Sequence, residues 1–206
     1  LSLGPHIGPV FGVAFHPKGQ QVAAASGHPF WSGDKSEIKV WDVASGTLLR
    51  TLEHPPTTTT RSIAFSPDSK TLAVATLGLS LQGSTLHLWD AVTGKELWRF
   101  YAVPQPGERG SETWPDNEMW RAGGGAVWSP PAVDPDLGLV YFGTGNANGN
   151  PNGLLGQHPT KHPGPHPSHA GDLRPGTALF TASVVALDLK TGAYRWHFQL
   201  THHDIF

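Results

Sequence analysis

"IAFSPDSKTLAVAT" (Ile63–Thr76), running on to "LHLWDAVTGKELWRF" (Leu86–Phe100), is the stretch that decides the fold. An apolar run ends in a Ser-Pro-Asp-Ser turn, and a second apolar run follows at once. Leu86 and Leu88 then alternate with other residues, and Leu97 and Phe100 add apolar positions beyond the next turn, which suits half-buried strands. In that turn Asp90 stands four residues before Gly94. An Asp and a Thr hydrogen-bond the turn backbone, while the glycine supplies a positive φ. The stretch predicts four short antiparallel strands.

Two further segments repeat the layout. "VAFHPKGQQVAAAS" (Val13–Ser26) continues to "IKVWDVASGTLLRTLE" (Ile38–Glu53), and "AVWSPPAVDPDLGLVYFGTG" (Ala126–Gly145) continues, after a long insertion, to "VVALDLKTGAYRWHFQ" (Val184–Gln199). The same Asp–Gly pair recurs as Asp42/Gly46 and Asp188/Gly192. In this alignment Trp128 takes the place of Phe15 and Phe65, the aromatics of an ordinary blade core. The predicted fold class is all-β: about three four-stranded antiparallel β-propeller blades. Closed propellers use about four to eight blades, so the expected ring is incomplete or open, with two free sheet faces. Residues 1–100 are expected to form two blades. Residues 101–206 are expected to form a third, interrupted by long loops at 101–125 and 146–176.

Composition agrees. Glycine (25) and proline (19) are both frequent in the 206 residues, while charged residues make up only 15%. That balance favours short strands and turns over long helices or disorder. The net charge is −2 with no basic run, which excludes a nucleic-acid-binding surface of the usual kind. No stretch of about 18 apolar residues exists, so no membrane span is expected. The N-terminal "LSLGPHIGPV" has neither the charged nor the apolar region of an export signal. With no cysteine, disulfide and thiolate chemistry are absent.

The first two units, with "VWD" at Val40–Asp42 and "LWD" at Leu88–Asp90, resemble WD repeats over about residues 9–100. The third, with "ALDLKTGAYRW", is similar to the tryptophan-docking repeat of quinoproteins. From about Leu97 to Phe206 the chain resembles pyrroloquinoline-quinone (PQQ) dependent alcohol and sugar dehydrogenases. The strings that carry this are "LWRFYAVPQPGE" (Leu97–Glu108), "ETW" (Glu112–Trp114), "GGGAVWSPPAVDPDLGLVYFGTGN" (Gly123–Asn146), "DLRPG" (Asp172–Gly176) and "TASVVALDLKTGAYRWHFQLTHHDIF" (Thr181–Phe206).

The resemblance implies a role for two residues. Trp128 matches the tryptophan whose indole lies flat against the quinone, a stack that suits a wide aromatic ring. Asn146 matches the asparagine whose side-chain oxygen helps hold calcium or a lanthanide, hard cations that take oxygen ligands. It also implies a general-base aspartate directly after "HHDIF", at a position beyond Phe206, so no catalytic residue is assigned within the chain. Asp204 is not its equivalent. Because the WD-like units carry no acidic motif matching the family's metal ligand, tight PQQ and metal binding by this chain alone is not expected. The family is periplasmic and passes electrons to an acceptor.

Other clusters point to less. His158, His162, His166 and His169 are spaced as on a helix face, but Pro159, Pro163, Pro165 and Pro167 forbid that helix. A solvated loop with loose affinity for Zn²⁺ or Ni²⁺ is expected there. Glu108, Glu112, Asp116 and Glu118 read as a solvated acidic loop. His202 and His203 read as orienting the base beyond Phe206 or as shaping a substrate entrance, and Trp31 as a surface anchor. Three readings follow: a segment of a PQQ-dependent dehydrogenase, inactive alone; a WD-type interaction scaffold without catalysis; and an assembly in which missing blades or a second copy complete the ring.

Overall fold

The computed structural model describes residues 3–27, 36–53, 58–78, 84–115, 120, 124–147 and 176–202. Trp31, Asp116, Glu118, the four histidines of the 157–169 loop, His203 and Asp204 lie outside the described residues. The strands are β1 (Val10–Phe15), β2 (Gln21–Ser26), β3 (Glu37–Asp42), β4 (Leu48–Glu53), β5 (Thr58–Phe65), β6 (Thr71–Gly78), β7 (Thr85–Asp90), β8 (Glu96–Tyr101), β9 (Ala132–Asp134), β10 (Leu139–Gly143), β11 (Ser183–Asp188) and β12 (Tyr194–Gln199). They form three four-stranded sheets, ordered β1-β2-β3-β4, β5-β6-β7-β8 and β9-β10-β11-β12, each antiparallel throughout. These are the expected propeller blades. The inner strand β5 touches both β1 and β9, so the inner strands gather around one axis.

Side-chain alternation stacks the blades. On β6, Leu72 and Val74 turn toward the first blade and join Ala23, Ala25, Ile38, Val40 and Leu52. Ala73 and Ala75 turn the other way, and with Leu86 and Leu88 they meet Val127, Val140, Phe142, Val185 and Leu187 of the third blade. Outer strand β8 buries Trp98 and Phe100 against this second core, while Leu97 faces solvent.

The Asp–Gly turns form as read. Asp42 Oδ1 accepts from Ser45 N at 2.8 Å, Asp90 Oδ1 from Thr93 N at 2.6 Å, and Asp188 Oδ1 from Thr191 N at 2.8 Å. The second and third of these turns also meet the preceding blade. Arg50 of β4 donates to the carbonyls of Ala91 and Val92. At the equivalent place in the next blade, Trp98 Nε1 donates to the Leu189 carbonyl at 3.0 Å. The third equivalent is Trp196, which is 42% exposed and makes no such bond among the described residues. Val13 and Phe15 of β1 and Phe198 of β12 are exposed as well, on the two ends of the stack.

One alignment is corrected. Phe15 pairs with Val22 and Phe65 with Leu72, and the third blade's counterpart is Val133 paired with Val140. Trp128 lies ahead of β9, outside the blade core. The local turn chemistry is responsible: Asp134 Oδ1 accepts from Asp136 N and Leu137 N, and Gly138 takes φ 66°, so the hairpin closes at Asp134–Gly138. "WSPP" imitates the turns of the first two units in letters only.

Gly192 has φ 72°, and a Cβ there would lie 2.7 Å from the Trp98 indole. Gly138 has φ 66° with nothing within 4 Å. Gly192→Ala is therefore expected to cost about 1–3 kcal/mol more than Gly138→Ala in urea denaturation, the excess being the overpacking.

The turn carboxylates also set an acid limit. Asp188 is held below its usual range by Arg195, then Thr191; Asp90 by the Thr93 backbone and hydroxyl; and Asp42 by those of Ser45. Burial would raise Glu96, but hydrogen bonds from His87 and Arg99 outweigh it and lower the group. A lowered folded pKa gives stability that is present above the unfolded value and lost as pH falls through the folded one. The thermal midpoint should thus fall steadily below about pH 4. Asp188→Asn should flatten that fall.

Candidate functional site

The inner ends of the blades converge on one small surface. β1 carries a bulge at Phe11 and β5 a bulge at Arg61, at equivalent register positions ahead of Gly12 and Ser62. A bulge re-aims its side chain away from the regular pleat. The third blade brings Trp128 to the same place, on the segment that leads into β9. The Arg61 guanidinium carbon lies 4.7 Å from the Phe11 ring centroid and 5.5 Å from that of Trp128, within cation–π range of both.

Trp128 is positioned by backbone pairing below it. Gly124 bridges Ala147, Gly125 N donates to the Asn146 carbonyl at 2.7 Å, and Gly145 N donates to the Ala126 carbonyl at 2.9 Å. Val127 is fully buried and anchors the segment in the blade 2–blade 3 core. A Cβ on Gly145 would lie 2.9 Å from Trp128 Nε1, so the indole edge sits directly over this glycine. Beyond the Gly145 and Arg61 contacts the ring is open, with 58% of Trp128 exposed. Asn146, half-buried, follows Gly145 immediately and holds the paired backbone with its carbonyl.

Arg61 was not singled out by sequence reasoning. Its Nε is buried with no hydrogen-bond partner, and burial lowers its pKa. Its one sequence signal is its place in the repeat, a cation standing where the first unit has Phe11. The acidic loop has local duties instead: Glu108 accepts from Gln105 N at 2.8 Å and Glu112 from Gly110 N at 2.9 Å. Neither is gathered with Asn146 into a ligand set. Among the described residues no group of three or more His, Asp or Glu side chains could hold a metal.

The repeats and this segment have recognisable relatives. The family model described as PQQ glucose/ethanol/alcohol dehydrogenase, β-propeller domain, matches residues 78–206. The chain belongs to that family. The WD domain, G-beta repeat model matches residues 1–42 and 46–90, so the two matches overlap within the second blade. The quinohemoprotein alcohol dehydrogenase of Comamonas testosteroni is 37% identical over 127 residues, covering 56% of this chain and 16% of that enzyme. The chain thus spans only a small part of the curated relatives it matches. Among solved structures, the quinohemoprotein alcohol dehydrogenase ADHIIG from Pseudomonas putida HK5 superimposes with TM-score 0.67 at 26% identity, covering 91% of this chain and 26% of that one. The WD40 repeats of RRP9 share the fold at TM-score 0.53 and 16% identity, covering 95% of this chain and 40% of that one.

The two expected site residues therefore differ in how well they suit the family's cofactors. An open indole face held over a glycine fits a planar quinone ring. A single amide oxygen does not fit a hard cation, which takes about six to eight oxygens. Gly145→Ala should displace the Trp128 indole, seen as a shift of its Nε1–H resonance. The loss of stability should stay near about 1 kcal/mol, because the ring can swing into solvent.

Proposed function

We propose that the chain is a segment of a periplasmic PQQ-dependent dehydrogenase that oxidises an alcohol or sugar hydroxyl to a carbonyl and hands the electrons to an acceptor. Family membership over residues 78–206 supports this reading. The observation that carries it is Trp128, exposed directly after the buried stretch Gly124–Val127. When bound, the quinone supplies the two-electron oxidant. This chain's own residues contribute the platform: Trp128 offers the stacking face, Gly145 limits where the indole lies, and Asn146 offers one oxygen toward calcium or a lanthanide. Asn146 does not make a full ligand set with the other described residues.

In this proposal residues 1–100 act as WD-type blades that seat the quinoprotein-type blade at 101–206. Further blades or a second copy cover the exposed ends marked by Phe15 and Trp196. The isolated chain is accordingly inactive as a dehydrogenase. A second reading, an interaction scaffold without catalysis, is favoured by the WD matches over the first two blades and by those same exposed ends.

Calorimetric titration with PQQ in the presence of Ca²⁺ separates the two. The enzyme reading expects saturable binding that Trp128→Ala weakens about tenfold or more, in line with the loss of one aromatic stack. Asn146→Ala should reduce its calcium dependence, and dye reduction should stay at background throughout. A folded chain that shows no PQQ binding sinks the enzyme reading and leaves the scaffold.

A further inference from the structure

Arg61 is a cation in want of a counter-charge. Its guanidinium stands between the Phe11 and Trp128 rings. None of the ion pairs among the described residues includes it. Its Nε is buried with no acceptor, and the adjacent Thr60 hydroxyl is also buried without a partner. A buried donor left unmade costs about 1–3 kcal/mol, and the chain had simple ways to avoid that cost. The equivalent bulge of the first blade holds a phenylalanine. Two other arginines of this fold are paired with carboxylates: Arg99 with Glu96 at 2.7 Å, and Arg195 with Asp188 at 2.7 Å. Arg61 has no such partner among the described residues, and it sits beside the exposed indole of the candidate site.

We propose that Arg61 and Trp128 together recognise a planar aromatic carboxylate, the indole receiving the ring and the guanidinium receiving the carboxylate. Arg presents a planar fork of N–H donors that matches a carboxylate, and it tolerates aromatic neighbours on its faces. The arrangement joins blades of two kinds, since Arg61 belongs to the WD-type second blade and Trp128 to the quinoprotein-type third. It rests on the reading that Trp128 stacks a planar ligand and deepens it: PQQ, as a tricarboxylate, belongs to the class selected. Unlike the Asn146 position, it calls for no metal.

The test is calorimetry in EDTA-containing, metal-free buffer at low salt, with quinoline-2,4-dicarboxylate and uncharged quinoline as probes. The wild-type chain should bind the dicarboxylate at least about tenfold more tightly than quinoline, a difference of about 1.4 kcal/mol. Arg61→Gln should bring the two within about twofold, as expected for loss of a charge-assisted bond. Arg61→Lys should keep part of the preference, and Trp128→Leu should weaken both probes. Equal affinities in the wild type overturn the proposal without any variant having to fold. So does a preference that survives Arg61→Gln unchanged. If the preference is found but PQQ with Ca²⁺ does not bind, the quinone reading fails while the carboxylate site stands. If PQQ binds but the two simple probes are equal, the reverse holds.

Discussion

Two-sided burial of the second blade is the constraint on which the rest depends. A strand's side chains alternate between faces, so a sheet buried on both sides needs apolar residues at every position. β6 meets this with Leu72 and Val74 on one side and Ala73 and Ala75 on the other. The alanines matter as much as the larger residues. They lie on the second strand from the axis, where neighbouring sheets come close, while Trp98 and Phe100 fill the wider outer space. Stacked in this way, the inner strands β1, β5 and β9 bring their leading ends together, and the candidate site follows from that convergence.

That site is assembled from backbone features more than from a motif. Two bulges and a short antiparallel bridge deliver Phe11, Arg61 and Trp128 to one surface. Gly145 then settles the lateral position of the indole, and Val127 ties the segment to the core. The buried Val127 and the Gly145 contact hold the indole in place. A ligand on the open indole face therefore meets a preformed platform, which reduces the ordering cost of binding.

Much of the fold could be read from letters because local chemistry and pattern agree. An Asp with a Ser or Thr and a Gly makes the same turn in all three units, and alternation marks the strands on either side. The third inner strand was misread because "WSPP" imitates "FHPK" and "FSPD", whereas the hairpin is set by Asp134 and Gly138. Trp128 was legible as a site residue only through family resemblance. Arg61 carried only the faint signal of a cation standing where the first unit has Phe11. One arginine ahead of an apolar run looks like a solvated end, and its aromatic neighbours come from two other blades, distant in sequence.

The contact between outer strand and turn gives the stack a polarity. Arg50 and Trp98 each reach forward to the carbonyls of the following turn, and Trp196 is the next donor in that series. The Asp42–Gly46 turn receives no bond of this kind among the described residues. Contact between successive blades is thus heterologous, head to tail, the outer strand of one meeting the turn of the next. Such contacts close into a ring when the rotation per unit completes a full turn, and otherwise propagate as an open helical filament. The angle between adjacent blades, more than any one residue, selects between the two.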